Sequence, residues 1–297
     1  METIKYSDLL LRLAGFDAWL TRLGLTPRPN DRIHKAFKIL RKAEEASQKG
    51  RETGAYIDIQ PGEWFPIIEA LEAHDIFTAF QNEPSPAIGA VLKRALSGPV
   101  QPIDESPKNR DGRNIWYELA LAAEWRLRGA SVMVEEPDLR LTRDHITFLV
   151  ACKRPAKEQS IHANIRDAIE QLQHNLDKAP QGAFGVAAIS LSCIFNPGDK
   201  VFSGEVSALG DLLENELDKH RQYLRSVDDP RVCCVMFHIA TPSVGGENVD
   251  LLRASYSVAQ ELKHPSIGSK TFREHALDMR SSPKMLNFPG PEVPIGR

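Results

Sequence analysis

The chain has 297 residues, 42% of them hydrophobic and 26% charged, with a formal net charge of −3. These values are typical of a globular chain with a large core, and the length fits two domains or one large one. They exclude a collagen-like chain, a long coiled coil and a small disulfide-stabilised scaffold. No apolar run reaches the roughly 18 residues that span a bilayer. Charged residues break the first apolar run, so we expect no secretory signal, no membrane partner and a cytoplasmic location.

The first hundred residues show the periodicity of helices, because apolar residues recur at intervals of three and four. Predicted helices cover about 6–23, 31–48, 61–75 and 86–97. The stretch that follows is rich in Pro, Gly, Asp and Ser and has no hydrophobic period, which is typical of a linker. We therefore predict an all-helical N-terminal domain over 1–98 and a linker over 99–113.

Beyond the linker, predicted helices and strands alternate. Helices are predicted over about 112–128, 158–177, 206–226 and 248–262, and strand-like runs over 131–135, 138–142, 145–152, 184–195 and 231–240. A helix, three strands, a helix and a strand in this order imply an α/β domain with a mixed sheet covered by helices. We place this domain at 114–265 and a loosely structured tail at 266–297.

One dense polar stretch stands out within the α/β region. The segment EEPD ends at Asp138, and the segment KRP begins at Lys153, with fourteen residues between them. Because side chains alternate along a strand, Lys153 leaves the end of the strand 145–152 on the side opposite Phe148 and Val150. Asp138 lies on the neighbouring strand. An acid and a lysine at neighbouring strand ends are well placed to hold a divalent cation and orient a water molecule.

These residues resemble the PD-(D/E)xK nuclease superfamily, in which a helix with an acid precedes a Pro-Asp hairpin and a strand ending in acid-x-Lys. The resemblance covers roughly 110–195 and implies a restriction-endonuclease-like mixed sheet flanked by helices. It implies that Asp138 binds the metal, that Lys153 is the catalytic lysine and that Glu118 is the first-helix acid of many members. The implied activity is hydrolysis of phosphodiester bonds in DNA or RNA with Mg²⁺ or Mn²⁺, ions that carboxylate oxygens suit.

The chain departs from this pattern two residues before the lysine, where Ala151 stands in place of Asp or Glu. A methyl group cannot bind a cation. The acid could have moved to the next helix, at Asp167 or Glu170, although a helical wheel turns both towards solvent and places Gln171 nearer the apolar stripe.

The missing ligand could also come from acids nearer the motif. Glu118, or the pair Glu135 and Glu136, could supply it, and we include Glu136 among the candidate metal ligands. Alternatively, drift or a deliberate substitution could have impaired the site. The chain would then be a nuclease-fold protein that binds nucleic acid or another protein without cleaving it.

A basic helix face in the N-terminal domain is a second candidate contact surface. Residues 28–52 hold eight basic residues against four acidic ones, and Lys35, Lys38 and Lys42 recur on one face. These lysines, and Arg154 beside the candidate catalytic lysine, could neutralise phosphates, whereas the alternative is a charged face that contacts only solvent. We therefore expect a nucleic-acid partner, with the N-terminal domain contacting the substrate, a partner protein or a second copy of the chain.

Overall fold

The computed structural model gives the chain as helices packed around one sheet. It describes residues 3–4, 6–53, 61–83, 86–135, 138–198, 200–203, 207–245, 250–263, 267–272 and 284–286. Its helices are α1 Tyr6–Leu13, α2 Phe16–Arg22, α3 Arg32–Thr53, α4 Pro61–Phe80, α5 Pro86–Ala95, α6 Asp111–Leu127, α7 Ile161–Leu176, α8 Ser192–Phe195, α9 Ser207–Ser226 and α10 Ile267–Phe272. Its strands are β1 Thr3–Ile4, β2 Ser131–Glu135, β3 Asp138–Arg143, β4 Ile146–Lys153, β5 Phe184–Ser190, β6 Phe202–Ser203, β7 Val232–Gly245, β8 Asp250–Glu261 and β9 Lys284–Leu286. Among the described helices, none combines the length and the apolarity needed to cross a bilayer.

The strands form one mixed sheet, in the order β1-β9-β8-β7-β5-β4-β3-β2, with β6 beside β7. Six strands, β2, β3, β4, β5, β7 and β8, have five or more residues and make up its body. Strands β2, β3 and β4 form an antiparallel meander, β4, β5 and β7 run parallel, and β8 returns antiparallel to β7. The predicted α/β class, with a mixed sheet and flanking helices, is confirmed.

Helices cover both faces of this sheet. Phe148 and Val150 of β4 belong to a core shared with α4 and α6, whereas Leu149 and Ala151 belong to a second core shared with α7 and α9. Strand β4 is therefore apolar on both sides, as strands with parallel neighbours commonly are. The only charged residue of β4, Lys153, is the last residue of the strand.

The helical character of the first hundred residues is confirmed by α1 to α5. The predicted helix 6–23 is interrupted by a turn at residues 14–15, where Gly15 packs closely against the ring of Phe77. Apolar side chains of these helices and of the sheet form one continuous core. The division at residue 98 stays a prediction; within the predicted linker, Pro102 is buried and begins a short 3-10 turn.

The helix predicted over 248–262 was wrong, because Asp250–Glu261 is strand β8. Its Leu, Ala, Gln and Glu residues favour a helix locally, but the long strand β7 would otherwise present an edge of unpaired backbone groups. Strand β8 pairs with β7 from Cys234↔Glu261 to Gly245↔Asp250 and satisfies that edge. Tertiary pairing here overrides local propensity.

Two parts of the predicted C-terminal tail lie in regular elements. Helix α10 places Phe272 in the core, in contact with the rings of Trp125 and Phe148. Strand β9 pairs with β8 and β1. The remaining tail residues lie outside the described ranges.

Candidate active site

A cleft of about 480 Å³ opens at the end of the sheet where β3 begins and β4 ends. Glu118 of α6, Asp138 of β3 and Lys153 of β4 all line it, and Asn164 of α7 borders it from the other face of the sheet. The structure thus brings together three candidate residues that come from three different elements.

Asp138 is fixed at the start of β3 by a hydrogen bond to the neighbouring strand. The backbone N–H of Cys152 donates to its Oδ2 at 2.6 Å. A charge-assisted bond of this kind closes the hairpin and holds the carboxylate beside the end of β4. The acid is therefore held one residue away from Lys153 along β4.

Lys153 is oriented by helix α7. Its Nζ donates a hydrogen bond to Oε1 of Gln171. The amide of Gln171 is neutral, so this bond positions the ammonium without cancelling its charge. The helical wheel places Gln171 near the edge of the apolar stripe, which is the sequence signal for this partner.

Glu118 is half-buried on α6 and is electrostatically coupled to the other two residues. Burial and, next, the negative charge of Asp138 raise the pKa of Glu118 to about 8, against the opposing effect of the ammonium of Lys153. Two carboxyl groups in one shielded cleft repel each other when both are ionised, and a bound cation would favour their ionised forms.

Ala151 leaves one expected acid out of this cleft. It is fully buried in the apolar core beneath α7. The side chains of Asp167 and Glu170 are 57% and 66% exposed and contact Arg166. The orientation given by the helical wheel is confirmed, and neither side chain lines the cleft, which argues against the hypothesis that the acid moved to this helix.

The polar stretch contains two further acids, Glu135 and Glu136. Glu135 lines the cleft and forms an ion pair with Arg140 at 2.6 Å. Glu136 lies outside the described residues. In the part of the chain that is described, no group of three or more His, Cys, Asp or Glu side chains could hold a metal ion.

Arg154 borders the cleft, but its charge is already matched within the protein. Both of its Nη atoms donate to Glu105, and the Arg154 side chain is only 7% exposed. Glu105 also pairs with Arg113, which pairs with Glu69, which in turn pairs with Arg32. We call these five residues the buried ion ladder. It connects α3 and α4 with the end of β4, and its contacts over long sequence separations gave no sequence signal.

The lysines predicted on α3 lie away from the cleft. Lys35, Lys38 and Lys42 are exposed, as expected for one polar helix face, and none of them lines the cleft. Their contact with nucleic acid stays a prediction.

Comparison of the chain with protein-family models, with curated proteins and with solved structures gave no match. The geometry of the cleft and the motif resemblance are therefore the grounds for a functional proposal.

Proposed function

We propose that the chain is a divalent-cation-dependent nuclease of restriction-endonuclease-like fold that hydrolyses phosphodiester bonds. The observation that carries the proposal is the meeting of Glu118, Asp138 and Lys153 in one cleft at the strand ends. In the resembled superfamily these motif positions supply metal ligands and the catalytic lysine. Their convergence is specific, because the three residues are separated along the chain and lie on a helix and two strands.

The acids of the cleft suit a hard divalent cation. Mg²⁺ is commonly held by one or two carboxylates, with water and phosphate oxygens completing its shell. Glu118 and Asp138 supply two carboxylates, and the raised pKa of Glu118 indicates a shielded site with excess negative charge when both ionise. Mg²⁺ or Mn²⁺ would be held by these two side chains, with Glu136 as a further candidate ligand.

The chain's own residues then have separate tasks. A cation bound here supplies charge neutralisation at the phosphate and acidifies a water molecule. Asp138, tied to the β4 backbone, fixes the position of the ligand set. Lys153, oriented by Gln171, donates hydrogen bonds to the charge that develops on the phosphate. The half-buried position of Glu118 limits water around its carboxyl group.

A second candidate function is a nuclease-fold protein that binds nucleic acid or a protein without cleaving it. Ala151 favours this alternative, because the position that carries an acid in the motif holds a methyl group packed in an apolar core. The two candidates differ in whether any bond is broken.

A cleavage assay separates them. Plasmid DNA, single-stranded DNA and RNA are incubated with Mg²⁺, Mn²⁺ or chelator, using the unchanged chain, Lys153→Ala and Lys157→Ala. Lys157 is an exposed lysine four residues further along that does not line the cleft, so it is the matched control. We expect metal-dependent cleavage that falls by about 100-fold or more in Lys153→Ala, the typical effect of losing one electrostatic donor.

Cleavage that persists in chelator, or in Lys153→Ala at the rate of Lys157→Ala, would contradict the proposal. Ala151→Glu restores the motif acid and is tested alongside, with its urea unfolding curve, since it places a carboxylate in a buried position. If the folded Ala151→Glu variant cleaves and the unchanged chain does not, the chain is an impaired nuclease. Binding without cleavage in every variant would favour the second candidate.

A further inference from the structure

One wall of the cleft comes from residues before, or at the very start of, the region that resembles a nuclease. Arg94 lies on α5 and Arg110 lies directly before α6, and both line the cleft with Glu118 and Lys153. Val91, one turn before Arg94 on α5, adds an apolar surface to the same wall. The N-terminal helices and their connection to α6 therefore shape the space in which a substrate would lie.

The cations on this wall differ in whether the protein already neutralises them. Arg94 forms an ion pair with Asp111 at 3.2 Å, in which both side chains are 64% exposed. Within the described ranges, no hydrogen bond or ion pair engages the guanidinium of half-buried Arg110. Lys153 bonds only the neutral amide of Gln171 there. Among the described residues, neither Arg110 nor Lys153 is thus in direct contact with an acid, although Lys153 also interacts electrostatically with Glu118 across the cleft.

The connection that carries Arg110 is held firmly in place. A side chain at Gly112 would overlap the carbonyl oxygen of Ser97, so the start of α6 lies directly against the backbone after α5. Nη2 of Arg113 donates to the carbonyl oxygens of Pro99, at 3.2 Å, and Val100. Because the backbone at Arg110 is fixed, only its side chain has to be ordered when it binds an anion.

The size of the cleft restricts what can enter it. Its volume of about 480 Å³ lies in the range of small-molecule pockets, roughly 300–1,000 Å³. A space of this volume can hold one nucleotide unit but not a base-paired double helix. A strand released from base pairing can place one such unit in the cleft, beside Arg110 and Lys153.

We propose that the substrate is single-stranded nucleic acid, and that Arg110 binds the phosphate next to the one at Lys153. This inference rests on the proposed function for the identity of the reacting phosphate. It assigns the principal electrostatic contact to the connection between α5 and α6, and not to the lysines of α3.

Binding without turnover tests this assignment. Fluorescence anisotropy in chelator measures the affinity for a labelled oligothymidylate strand and for a blunt hairpin duplex. We expect the single strand to bind more tightly than the duplex. Arg110→Ala should weaken binding to the strand about tenfold. It should also reduce the slope of log affinity against log salt concentration by about one, which is the effect of losing one phosphate contact. Arg110→Lys, which keeps the charge, should retain most of the affinity.

Lys38→Ala is the matched control, since Lys38 is an exposed cation on α3 that does not line the cleft. Its affinity should stay within about twofold of the unchanged chain, because a solvated charge far from the site contributes little. Equal affinity for strand and duplex, an unchanged Arg110→Ala variant, or an equal loss in Lys38→Ala would each overturn the inference. Urea unfolding of each variant checks that the fold is intact.

The two proposals fail separately. Binding of the strand that depends on Arg110, in a protein that cleaves nothing under any metal condition, would contradict the nuclease proposal and support the binding site. Cleavage that depends on Lys153, with strand affinity that ignores Arg110, would support the nuclease and overturn the assignment of Arg110.

Discussion

A buried histidine shows how one residue can set the acid sensitivity of the chain. The ring of His238 on β7 stacks on Tyr117, and its Nδ1 lies 2.9 Å from Oγ of Ser257. Burial, together with the positive charges of Arg253 and Arg128, lowers the pKa of His238 to about 3. The folded protein therefore keeps this ring neutral at pH values where the unfolded chain protonates it.

We predict that His238 lowers the free energy of unfolding as the pH falls below about 6.5. The unfolded state binds a proton near pH 6.5 and the folded state only near pH 3, so stability falls as the pH drops through this window. Between pH 7 and pH 5 the loss is about 2 kcal/mol. In urea unfolding, the free energy of unfolding of His238→Gln should therefore fall by about 2 kcal/mol less between these pH values than that of the unchanged chain. His174→Gln, at an exposed histidine of α7, should leave the dependence unchanged; equal curves for both variants would refute the assignment.

At the scale of elements, the buried ion ladder joins helices α3, α4 and α6 to the end of strand β4. Glu69 of α4 accepts from Arg32 of α3 and pairs with Arg113 of α6, and the three side chains are at most 5% exposed. Arg32 also donates to the carbonyl oxygen of Ala95 at the end of α5. Buried charges persist only when each is matched, so one acid holds three helices in register.

We predict that Glu69→Ala lowers the free energy of unfolding by about 3–5 kcal/mol, because it leaves two buried guanidiniums without their shared acid. Asp218→Ala, which removes an exposed pair with Arg221 on α9, should change it by less than about 1 kcal/mol. Urea titration measures both. If the effect of Glu69→Ala were as small as that of Asp218→Ala, the prediction would be wrong, because water would then be solvating the two guanidiniums in place of Glu69.

At the scale of the whole molecule, the helical N-terminal region and the sheet share one core. Trp116 of α6 donates its Nε1–H to Glu72 of α4 at 2.8 Å, and Arg253 of β8 lies 3.5 Å from Asp75 of α4. All of these contacts cross the predicted boundary at residue 98. The faces of α6 and β7 that meet α4 are apolar, and removing α1 to α5 would expose them to water.

We therefore predict a single unfolding transition for the full chain, with helix ellipticity and tryptophan fluorescence changing together. A chain that starts at residue 99 should lose this cooperative transition and associate, because its exposed apolar face is large. Circular dichroism and light scattering test this. A monomeric truncated chain that unfolds cooperatively would establish the predicted domain boundary instead.

The sequence predicted the local elements well where hydrophobic period decides them. Helix α6, the strands β2 to β4 and helix α7 lie close to their predicted bounds, because each buries its apolar face against the core. It also indicated Glu118, Asp138 and Lys153 as one site, since their spacing matches a known order of elements. It failed at β8, where pairing with a distant strand outweighed local propensity.

What the sequence by itself determined was the period, the order of elements and the chemical types of the candidate residues. The tertiary structure decided which charges are available. Arg154 is matched by Glu105, whereas Lys153 is oriented by Gln171 and Arg110 reaches the cleft from another part of the chain. The physical reason is that a charge is neutralised by whatever lies within a few ångströms of it, and those neighbours are far apart in sequence.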